Sequence, residues 1–319
     1  MARRCTCFSR HPTTNVRVLN LERTGAVMER VRPLYLNNLK YRVNTKCLNR
    51  LFVLFSAILI VFLSSATFSP VVLPASCARG EDSELHLISF ATNPTSLAQL
   101  REEAKLVPLF KSVRLCDETC LHGTPFWAEH SHFIENNPRG YGYWIWKYAL
   151  VLKTMENLPE CSAILYIDGG CSLNINGMKR LAEYTRLARS SGGLLLFDLG
   201  LQEAAYTKRD TGERISPHSS NDSWGTQRVG GIFTAINMRH TRQFFRQALK
   251  IASEHGYHYL DDSPSLKPEN PEFISHRHDQ SITSMLSKQY GFPAIPDETY
   301  PPERCLEAGY PIIAARRSS

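Results

Sequence analysis

One short apolar run constrains the fold of this chain more than any other feature. Ala163–Ile167 (AILYI) is apolar throughout instead of alternating with polar residues, which is typical of a strand buried on both faces of a parallel sheet. The run ends directly in Asp168, Gly169 and Gly170. Ligands of parallel α/β sheets bind beyond the carboxyl ends of the strands, so a site is expected at Asp168.

Strand and helix patterns alternate from residue 85 to about residue 290. Short apolar runs typical of strands are separated by segments whose apolar residues recur at helical spacing. The further predicted strands are Leu85–Ala91, Ser112–Cys116, Gly193–Asp198 and Gly230–Asn237, and the predicted helices are Ser96–Lys105, Tyr143–Met155, Asn176–Ser190, Arg242–His255 and Asp279–Gln289. This alternation predicts an α/β fold with a mainly parallel, Rossmann-like sheet, which we assign to one domain over residues 85–319.

An uncharged segment precedes this domain. Leu51–Phe68 contains no charged residue, no Pro and no Gly. As a helix with a rise of about 1.5 Å per residue, it nearly matches the roughly 30 Å hydrocarbon core of a membrane. We therefore expect a transmembrane signal-anchor helix over residues 51–69, preceded by a cytosolic tail (1–50) and followed by a stem (70–84).

The charge distribution gives this anchor a direction. Residues 1–50 hold 11 Lys and Arg against two Glu, a net charge of +9, and the rest of the chain has a net charge of −2. A basic segment before the span predicts a cytosolic N-terminus and a single-pass type II membrane protein, in the Golgi membrane of a eukaryote or the inner membrane of a bacterium. Because the basic tail meets a membrane, no nucleic-acid partner is expected. The main alternative is a signal peptide cleaved near Ala75–Ala78.

Cysteine usage agrees with a domain outside the cytosol. Six of the nine cysteines follow the predicted span, where disulfides can form, but their pairing cannot be read from the sequence. Cys116, Cys120 and His122 resemble half of a zinc site, yet no second pair of ligands with matching spacing follows. A disulfide or free thiols is the favoured interpretation.

Asp168 and the glycines after it suit an activated sugar. Transfer of a sugar from a nucleotide donor requires a metal ion or fixed cations to neutralise the departing diphosphate. Gly169 and Gly170 would let phosphate groups approach the backbone. The simpler alternative is a strand-ending Asp that caps the following turn.

Three other segments carry candidate groups. Arg139–Lys147 (RGYGYWIWK) includes Trp146, suited to stacking on a base or sugar, and Lys147, suited to phosphate, although these residues could equally form ordinary core. Asp262, in a turn, is a candidate general base for an acceptor hydroxyl or a solvated loop residue. Lys208 is a candidate phosphate contact or, again, a solvated loop residue.

Seven motifs in one order resemble a known group of proteins. They are RGYGYWIWK (139–147), LYIDGGCSLN (165–174), YTKRD (206–210), QRVGGIFTAIN (227–237), LDDSPS (260–265), HRHDQS (276–281) and PDETY (296–300). Together they are similar to nucleotide-diphospho-sugar transferase-like proteins, which are glycosyltransferases of the GT-A type. The resemblance covers roughly residues 85–300 and implies transfer of a sugar from a nucleotide-sugar donor to a glycan or lipid-linked acceptor.

The resemblance also implies a metal site. Asp168 stands where GT-A enzymes carry their acidic donor and metal motif, usually Asp-x-Asp, but here the third position is Gly170. A divalent ion, Mn²⁺ or Mg²⁺, would need another ligand such as His276, His278 or Asp279, and we take Asp168 with His278 as the candidate pair. The missing second acid leaves open a catalytically inactive carbohydrate-binding protein of the same fold.

The later motifs are similar to retaining GT-A enzymes of the glycogenin type. In those enzymes the strand after the donor motif lines the sugar pocket, which implies the same for Gly230 and Gly231. A later Asp-Gln pair faces the donor sugar, which implies that Asp279 and Gln280 lie near its anomeric carbon. Taken alone, Asp279 predicts a helix N-cap, and the two roles are compatible. The family usually carries Pro where this chain has Tyr148.

Overall fold

The computed structural model describes Cys77, residues 84–219 and residues 221–314. The predicted cytosolic tail (1–50) and membrane-spanning segment (51–69) lie outside the described residues, as does nearly all of the predicted stem. Of the helices in the described part of the chain, none is long and apolar enough to cross a membrane.

The described residues form nine strands and ten α-helices that alternate along much of the chain, which confirms the α/β class. The strands are β1 (Leu85–Phe90), β2 (Phe110–Cys116), β3 (Ala163–Ile167), β4 (Ser172–Leu173), β5 (Leu194–Gln202), β6 (Thr226–Arg228), β7 (Ile232–Ile236), β8 (Ala294–Pro296) and β9 (Ile312–Ile313). The helices are α1 (Pro94–Lys105), α2 (Pro125–Asn136), α3 (Gly140–Tyr143), α4 (Trp146–Glu156), α5 (Met178–Ser190), α6 (Glu203–Tyr206), α7 (Arg209–Ile215), α8 (Arg239–Tyr257), α9 (His278–Gln289) and α10 (Pro302–Glu307).

Seven strands form one mixed sheet in the order β2-β1-β3-β7-β5-β6, with β8 also paired to β5. β1 is parallel to β2 and β3, and β8 is parallel to β5. β7 is antiparallel to both β3 and β5, and β6 is antiparallel to β5. Five strands therefore run in one direction and two in the other, so the sheet is mostly parallel but mixed. β4 and β9 form a separate antiparallel pair.

The departure from the predicted topology that matters most is the direction of β7. A strand that is apolar throughout gives no signal of its direction, because its side chains pack against helices on both faces either way. The reversal pairs Ile232, at the start of β7, with Ile167, at the end of β3. The segment before β7 therefore lies at the same edge of the sheet as the residue after β3.

The central strand β3 is buried on both faces, as its sequence predicts. Ile164 and Tyr166 belong to a hydrophobic cluster that includes side chains of α4 and α8. Leu165 and Ile167 belong to a second cluster that includes side chains of α1 and α5. Full burial of one such side chain stabilises the fold by about 1.5–3 kcal/mol. The position of Asp168, immediately after β3, is thus set by well-packed neighbours.

A disulfide joins Cys77 to Cys161, two residues before β3. It ties the segment that follows the predicted span to the start of the central strand. Cys116 and Cys120 carry unbridged thiols, which is one of the two outcomes that the sequence favours for this pair.

Candidate active site

The site lies where the end of β3 meets the start of β7. The Asp168 N–H donates to the Gly231 carbonyl at 2.8 Å, which continues the antiparallel ladder by one residue. A Cβ atom on Gly231 would lie 2.3 Å from Asp168 Oδ2. Any side chain at that position would therefore displace the Asp168 carboxylate. This close approach explains why the second residue of the GGIF segment is glycine.

Lys147 joins two carboxylates at this edge. Its ammonium lies 2.6 Å from Asp279 Oδ2 and 3.5 Å from Asp168 Oδ1, and it donates to the Gly230 carbonyl at 3.1 Å. Lys147 is in the first turn of α4 and Asp279 in the first turn of α9, so two helix starts meet the strand end. The Asp168 side chain is 42% exposed, against 3% for Lys147. Asp168 is therefore the member of this cluster that a ligand reaches most easily.

The ionisation of the cluster follows from burial and charge. Burial opposes the charge of Lys147, but the carboxylates of Asp168 and Asp279 outweigh it and raise the pKa of Lys147 above its ordinary value. Burial raises the pKa of Asp279 to about 6; the ammonium of Lys147 opposes this change and the charge of Asp168 adds to it. At neutral pH the ammonium is charged and Asp279 is mostly ionised.

Two buried tyrosines hold Asp168 and Asp279 in place. The Tyr166 hydroxyl donates to Asp168 Oδ1 at 2.7 Å, and the Tyr148 hydroxyl donates to the Asp279 carbonyl at 2.8 Å. Burial, followed by the charge of Asp168, raises the pKa of Tyr166 well above its ordinary value, so this hydroxyl remains a donor. Tyr148, where the family that the chain resembles usually carries Pro, adds a hydrogen bond to the site.

Gln280 is held by the backbone and by a buried side chain. Its Oε1 accepts from the Gly230 N–H at 3.1 Å, and its Nε2 donates to Gln227 Oε1 at 2.8 Å. A Cβ atom on Gly230 would lie 2.7 Å from the Gln280 Cβ, so the first glycine of the pair permits the close packing of α9. Gln280 therefore fixes the segment before β7.

A cavity of about 850 Å³ opens at this cluster. Eight residues that the sequence singles out as site candidates line it: Lys147, Asp168, Gly230, Gly231, His276, His278, Asp279 and Gln280. Further lining residues are Arg139, Trp144, Leu199, Leu201, Ser275, Arg277 and Tyr300. The fold thus gathers residues of five of the seven motifs around one space whose volume is typical of small-molecule sites.

Two arginines bring positive charge to this cavity. The Arg277 guanidinium lies 3.8 Å from the centre of the Tyr206 ring, and its Nη1 donates to Gln227 Oε1 at 3.1 Å. Arg139 Nη1 donates to both carboxylate oxygens of Asp262, at 3.0 and 2.8 Å. Guanidinium groups recognise phosphate by paired hydrogen bonds. The sequence analysis assigns no role to Arg277, and its place inside the HRHDQS motif is the signal that could have found it.

Trp146, the predicted stacking residue, does not line the cavity. Its ring stacks on Phe90 with centroids 3.8 Å apart, and its Nε1–H donates to the Gly140 carbonyl. Trp144 lines the cavity instead. It adopts a left-handed backbone (φ 62°, ψ 17°) between α3 and α4, a conformation that costs a non-glycine residue about 1–3 kcal/mol. The predicted continuous helix from Tyr143 is therefore wrong at its start.

The two glycines after Asp168 have different surroundings. The Gly169 N–H donates to the Phe90 carbonyl at 3.2 Å, and a Cβ atom there would lie 2.6 Å from the Ala91 Cβ. Gly169 therefore permits close packing at the ends of β3 and β1. Gly170 is exposed, with nothing within 4 Å of a Cβ atom built on it. Their contact with donor phosphates stays a prediction.

Lys208 is buried and is not among the residues that line the cavity. Its ammonium donates to the carbonyl groups of His258 and Ser263, at 3.0 Å for Ser263, and lies 3.4 Å from Asp261 Oδ1. Its side chain is 2% exposed. This ammonium fixes the loop before Asp262, so we leave Lys208 out of the donor site that we propose below.

Asp262, the predicted general base, meets the cavity through other residues. Its carboxylate holds Arg139 and lies 3.7 Å from His278 Nε2, and both of these partners line the cavity. The Asp262 side chain is 45% exposed. The Arg139 guanidinium donates to both oxygens of this carboxylate, which reduces its ability to accept a proton. The role of Asp262 as a general base stays a prediction.

The histidines of the HRHDQS motif are neutral and engaged by the backbone. His276 accepts at Nδ1 from the Lys208 N–H and donates from Nε2 to the Tyr259 carbonyl. His278 donates from Nδ1 to the Leu260 carbonyl at 2.8 Å, and its buried Nε2 has no hydrogen-bond partner. Burial is the main cause that lowers the pKa of His278, and it lowers the pKa of His276 further, well below the ordinary value.

These groups do not fit the predicted divalent ion. Lys147 already fills the space between Asp168 and Asp279, and the carboxylate next to His278 Nε2 is held by Arg139. Within the ranges that the structure describes, no group of three or more His, Cys, Asp or Glu side chains could hold a metal ion. The predicted Mn²⁺ or Mg²⁺ site at Asp168 and His278 therefore has no matching set of ligands.

Comparisons with known proteins give only distant similarities. No family model matches the chain, and no curated protein sequence matches it. Among solved structures it is similar to mouse xyloside xylosyltransferase 1 in its apo form, with 14% identity over 67% of this chain and 85% of that chain and a TM-score of 0.39. It is also similar to an active-site mutant of LgtC, with 16% identity over 66% of this chain and 71% of that chain and a TM-score of 0.35. Both TM-scores are low, and neither similarity assigns a function to this chain.

Proposed function

We propose that this domain is a GT-A-type glycosyltransferase, which moves a sugar from a nucleotide-sugar donor to a hydroxyl of a glycan or lipid-linked acceptor. One observation carries the proposal. A half-exposed carboxylate at the end of a buried central strand, Asp168, shares a cavity with two arginines and with the segment His276–Gln280. Most of these residues belong to the motifs that resemble nucleotide-diphospho-sugar transferase-like proteins.

The cavity offers a complementary group to each part of such a donor. Arg139 and Arg277 suit the diphosphate, because guanidinium groups bind phosphate oxygens by paired hydrogen bonds. The Trp144 indole offers a flat apolar face for a base or a sugar ring. Asp168 accepts hydrogen bonds from sugar hydroxyls.

Transfer breaks the bond between the anomeric carbon and the diphosphate and forms a bond from that carbon to the acceptor oxygen. The electron pair of the broken bond leaves with the diphosphate, whose charge the guanidinium groups of Arg139 and Arg277 stabilise. The proton of the acceptor hydroxyl passes to Asp168, the carboxylate that lines the cavity with the largest exposed fraction. Similarity of the DQS segment to retaining enzymes favours retention of configuration at the anomeric carbon.

Asp279 and Gln280 act by positioning in this proposal. Asp279 holds the ammonium of Lys147, and Gln280 holds the Gly230 N–H. Together they fix the edge of the sheet against which the donor sugar would lie.

We further propose that the domain faces a non-cytosolic compartment as part of a type II membrane protein, in the Golgi membrane of a eukaryote or the inner membrane of a bacterium. The uncharged segment Leu51–Phe68 and the basic tail before it support this orientation. The disulfide Cys77–Cys161 is typical of an oxidising compartment.

Turnover of a nucleotide sugar by the purified full-length chain tests the proposal. Release of nucleotide is measured with UDP-, GDP- and CMP-sugars, with and without Mn²⁺. We expect release from one of them, and we expect Asp168→Asn to lower it by at least about 100-fold, the effect of losing a general base. Glu102→Gln, which changes an exposed carboxylate on α1, is the matched control. Full activity of Asp168→Asn would exclude the assigned site.

A second candidate is a carbohydrate-binding protein without catalytic activity. Two features favour this alternative. Gly170 stands where the usual second acid would be, and Lys147 forms ion pairs with the carboxylates of Asp168 and Asp279. It predicts binding of sugars that is lost in Trp144→Ala, without release of nucleotide from any donor. Turnover by the wild-type chain would exclude it.

A further inference from the structure

Lys147 occupies the place where a metal-dependent site would hold its cation. Its ammonium contacts Asp279 Oδ2 at 2.6 Å and Asp168 Oδ1 at 3.5 Å. Divalent ions such as Mg²⁺ bind carboxylate oxygens at about 2.0–2.1 Å, so an ion bridging these two carboxylates would require the ammonium to leave. The Gly230 carbonyl also accepts from this ammonium, which gives it a third oxygen partner.

We infer that Lys147 is a built-in cation and that this site binds its diphosphate ligand without a divalent metal. The inference deepens the proposed function and rests on it for the identity of the ligand. Its metal-binding part concerns only this chain and Mn²⁺, so that part can be tested whether or not a nucleotide sugar is the substrate.

Burial makes the exchange of this ammonium for a metal ion costly. Lys147 is 3% exposed and Asp279 6% exposed, so displaced Lys147 would lose its partners in a region of low dielectric. Removing one partner from a buried ion pair is strongly destabilising, because the other charge then stays buried and uncompensated. A metal ion would have to overcome this loss with two carboxylate ligands, because His276 is engaged by the backbone at both ring nitrogens. The Nε2 of His278 lies next to a different carboxylate, that of Asp262 at 3.7 Å, which Arg139 holds.

The charge of the cluster shows which groups must meet the diphosphate. One ammonium and two ionised carboxylates give a net charge of −1, whereas a divalent ion with the same carboxylates would be neutral. The remaining positive charge in the lining comes from Arg139 and Arg277. Arg277 is the candidate that we test, because the Tyr206 ring and Gln227 orient its guanidinium.

Mn²⁺ binding to the purified full-length chain, followed by electron paramagnetic resonance, tests the first part. We expect no stoichiometric binding to the wild-type chain. We expect Lys147→Ala to bind Mn²⁺, and Lys147→Ala combined with Asp168→Asn to lose it. Stoichiometric binding by the wild-type chain that disappears in Asp168→Asn would overturn the inference. Absence of binding by a folded Lys147→Ala chain would also count against it, because the carboxylates would then form no cation position.

Thermal shift with inorganic pyrophosphate tests the second part. In the presence of EDTA we expect pyrophosphate to raise the midpoint temperature of the wild-type chain. We expect this shift to be lost in Arg277→Gln and kept in Arg186→Gln, which changes a 72% exposed arginine on α5. A shift that appears only when Mn²⁺ replaces EDTA, or that Arg277→Gln keeps in full, would overturn the inference.

The two tests separate this inference from the proposed function. A chain that binds pyrophosphate in EDTA but turns over no nucleotide sugar keeps the inference and loses the proposed enzyme. A chain that turns over a nucleotide sugar only with Mn²⁺ keeps the enzyme and loses the inference.

Discussion

In the part of the chain that the structure describes, two lysines are buried, Lys147 and Lys208, and their surroundings differ. Lys147 lies between carboxylates at the edge of the central sheet and lines the cavity. Lys208 donates to backbone carbonyls of the loop from His258 to Ser263. The sequence analysis gives both lysines the same role, contact with phosphate.

The difference shows that the partners of a buried ammonium, more than its burial, indicate its role. Two carboxylates outweigh burial and raise the pKa of Lys147. At Lys208 burial is the larger effect and lowers the pKa, although Asp261 opposes it. A lysine held by carbonyls stabilises a loop, whereas a lysine held by carboxylates balances charges that a ligand can also meet.

Lys147→Met is expected to have the largest effect. It leaves Asp279 buried without its counter-charge, and we expect the free energy of unfolding to fall by about 3–5 kcal/mol. Urea denaturation of the full-length chain measures this. Lys105→Met, which changes a 62% exposed lysine, should stay within about 0.5 kcal/mol of the wild type. A similar effect of the two changes would mean that the buried cluster adds no stability.

Lys208→Met should destabilise the chain less and leave ligand binding intact. It leaves the carbonyls of His258 and Ser263 without their donor, and we expect a loss of about 2 kcal/mol. Under the proposed function, the thermal shift produced by pyrophosphate should match that of the wild type. Loss of that shift without loss of stability would place Lys208 in the donor site and end the contrast between the two lysines.

The pH dependence of stability should distinguish the carboxylate next to Lys147. The pKa of Asp279 is raised to about 6 from 3.8, so in that window the folded chain binds more protons than the unfolded chain. The stability that this group contributes is present below its ordinary pKa and lost as the pH rises through about 6. We expect the wild-type free energy of unfolding, relative to Asp279→Asn, to fall by about 2 kcal/mol between pH 4 and pH 7.

Asp117 provides a control of opposite sign for this measurement. A hydrogen bond from the Thr119 hydroxyl lowers the pKa of exposed Asp117, so its contribution is lost as the pH falls. Wild-type stability relative to Asp117→Asn should therefore not decrease between pH 4 and pH 7. If the stability of the wild type relative to each variant fell with pH to the same extent, burial would not be the cause of the pH dependence at Asp279.

Tyr166→Phe is expected to have the smallest effect on stability. It removes one hydrogen bond to Asp168, which water can partly replace because that carboxylate is half exposed, so we expect a loss of about 1 kcal/mol. Tyr148→Phe, which removes a hydrogen bond to the Asp279 carbonyl, is the matched comparison. Under the proposed function, turnover should fall more in Tyr166→Phe than in Tyr148→Phe. The reverse order would indicate that Asp168 does not act on the ligand.

Much of the fold could be predicted from the sequence because its signals are local. The apolar run Ala163–Ile167 gives a strand buried on both faces, and the alternation of patterns gives the α/β class. Asp168 and the pair Gly230 and Gly231 could be singled out as well, because Asp168 directly follows one apolar run and the two glycines directly precede another. These three residues do line one cavity.

Other parts of the site depend on contacts that sequence patterns do not contain. The backbone at Trp144 is left-handed, and it is Trp144 that lines the cavity, whereas Trp146 is buried. Regular helical spacing cannot predict this, because residues 141–144 all have positive φ and turn the chain out of helical register. The partners of Lys147 lie 21 and 132 residues further along the chain, and no local pattern relates positions so far apart.

By itself, the sequence determined which segments are buried and where charged residues follow buried strands, because burial and secondary structure depend on the local order of apolar and polar residues. Only the tertiary structure decided that β7 runs against β3 and that Lys147 lies between two carboxylates. Strand direction and ion pairing depend on which distant segments pack together. Those choices decide whether the site holds a metal ion or an ammonium.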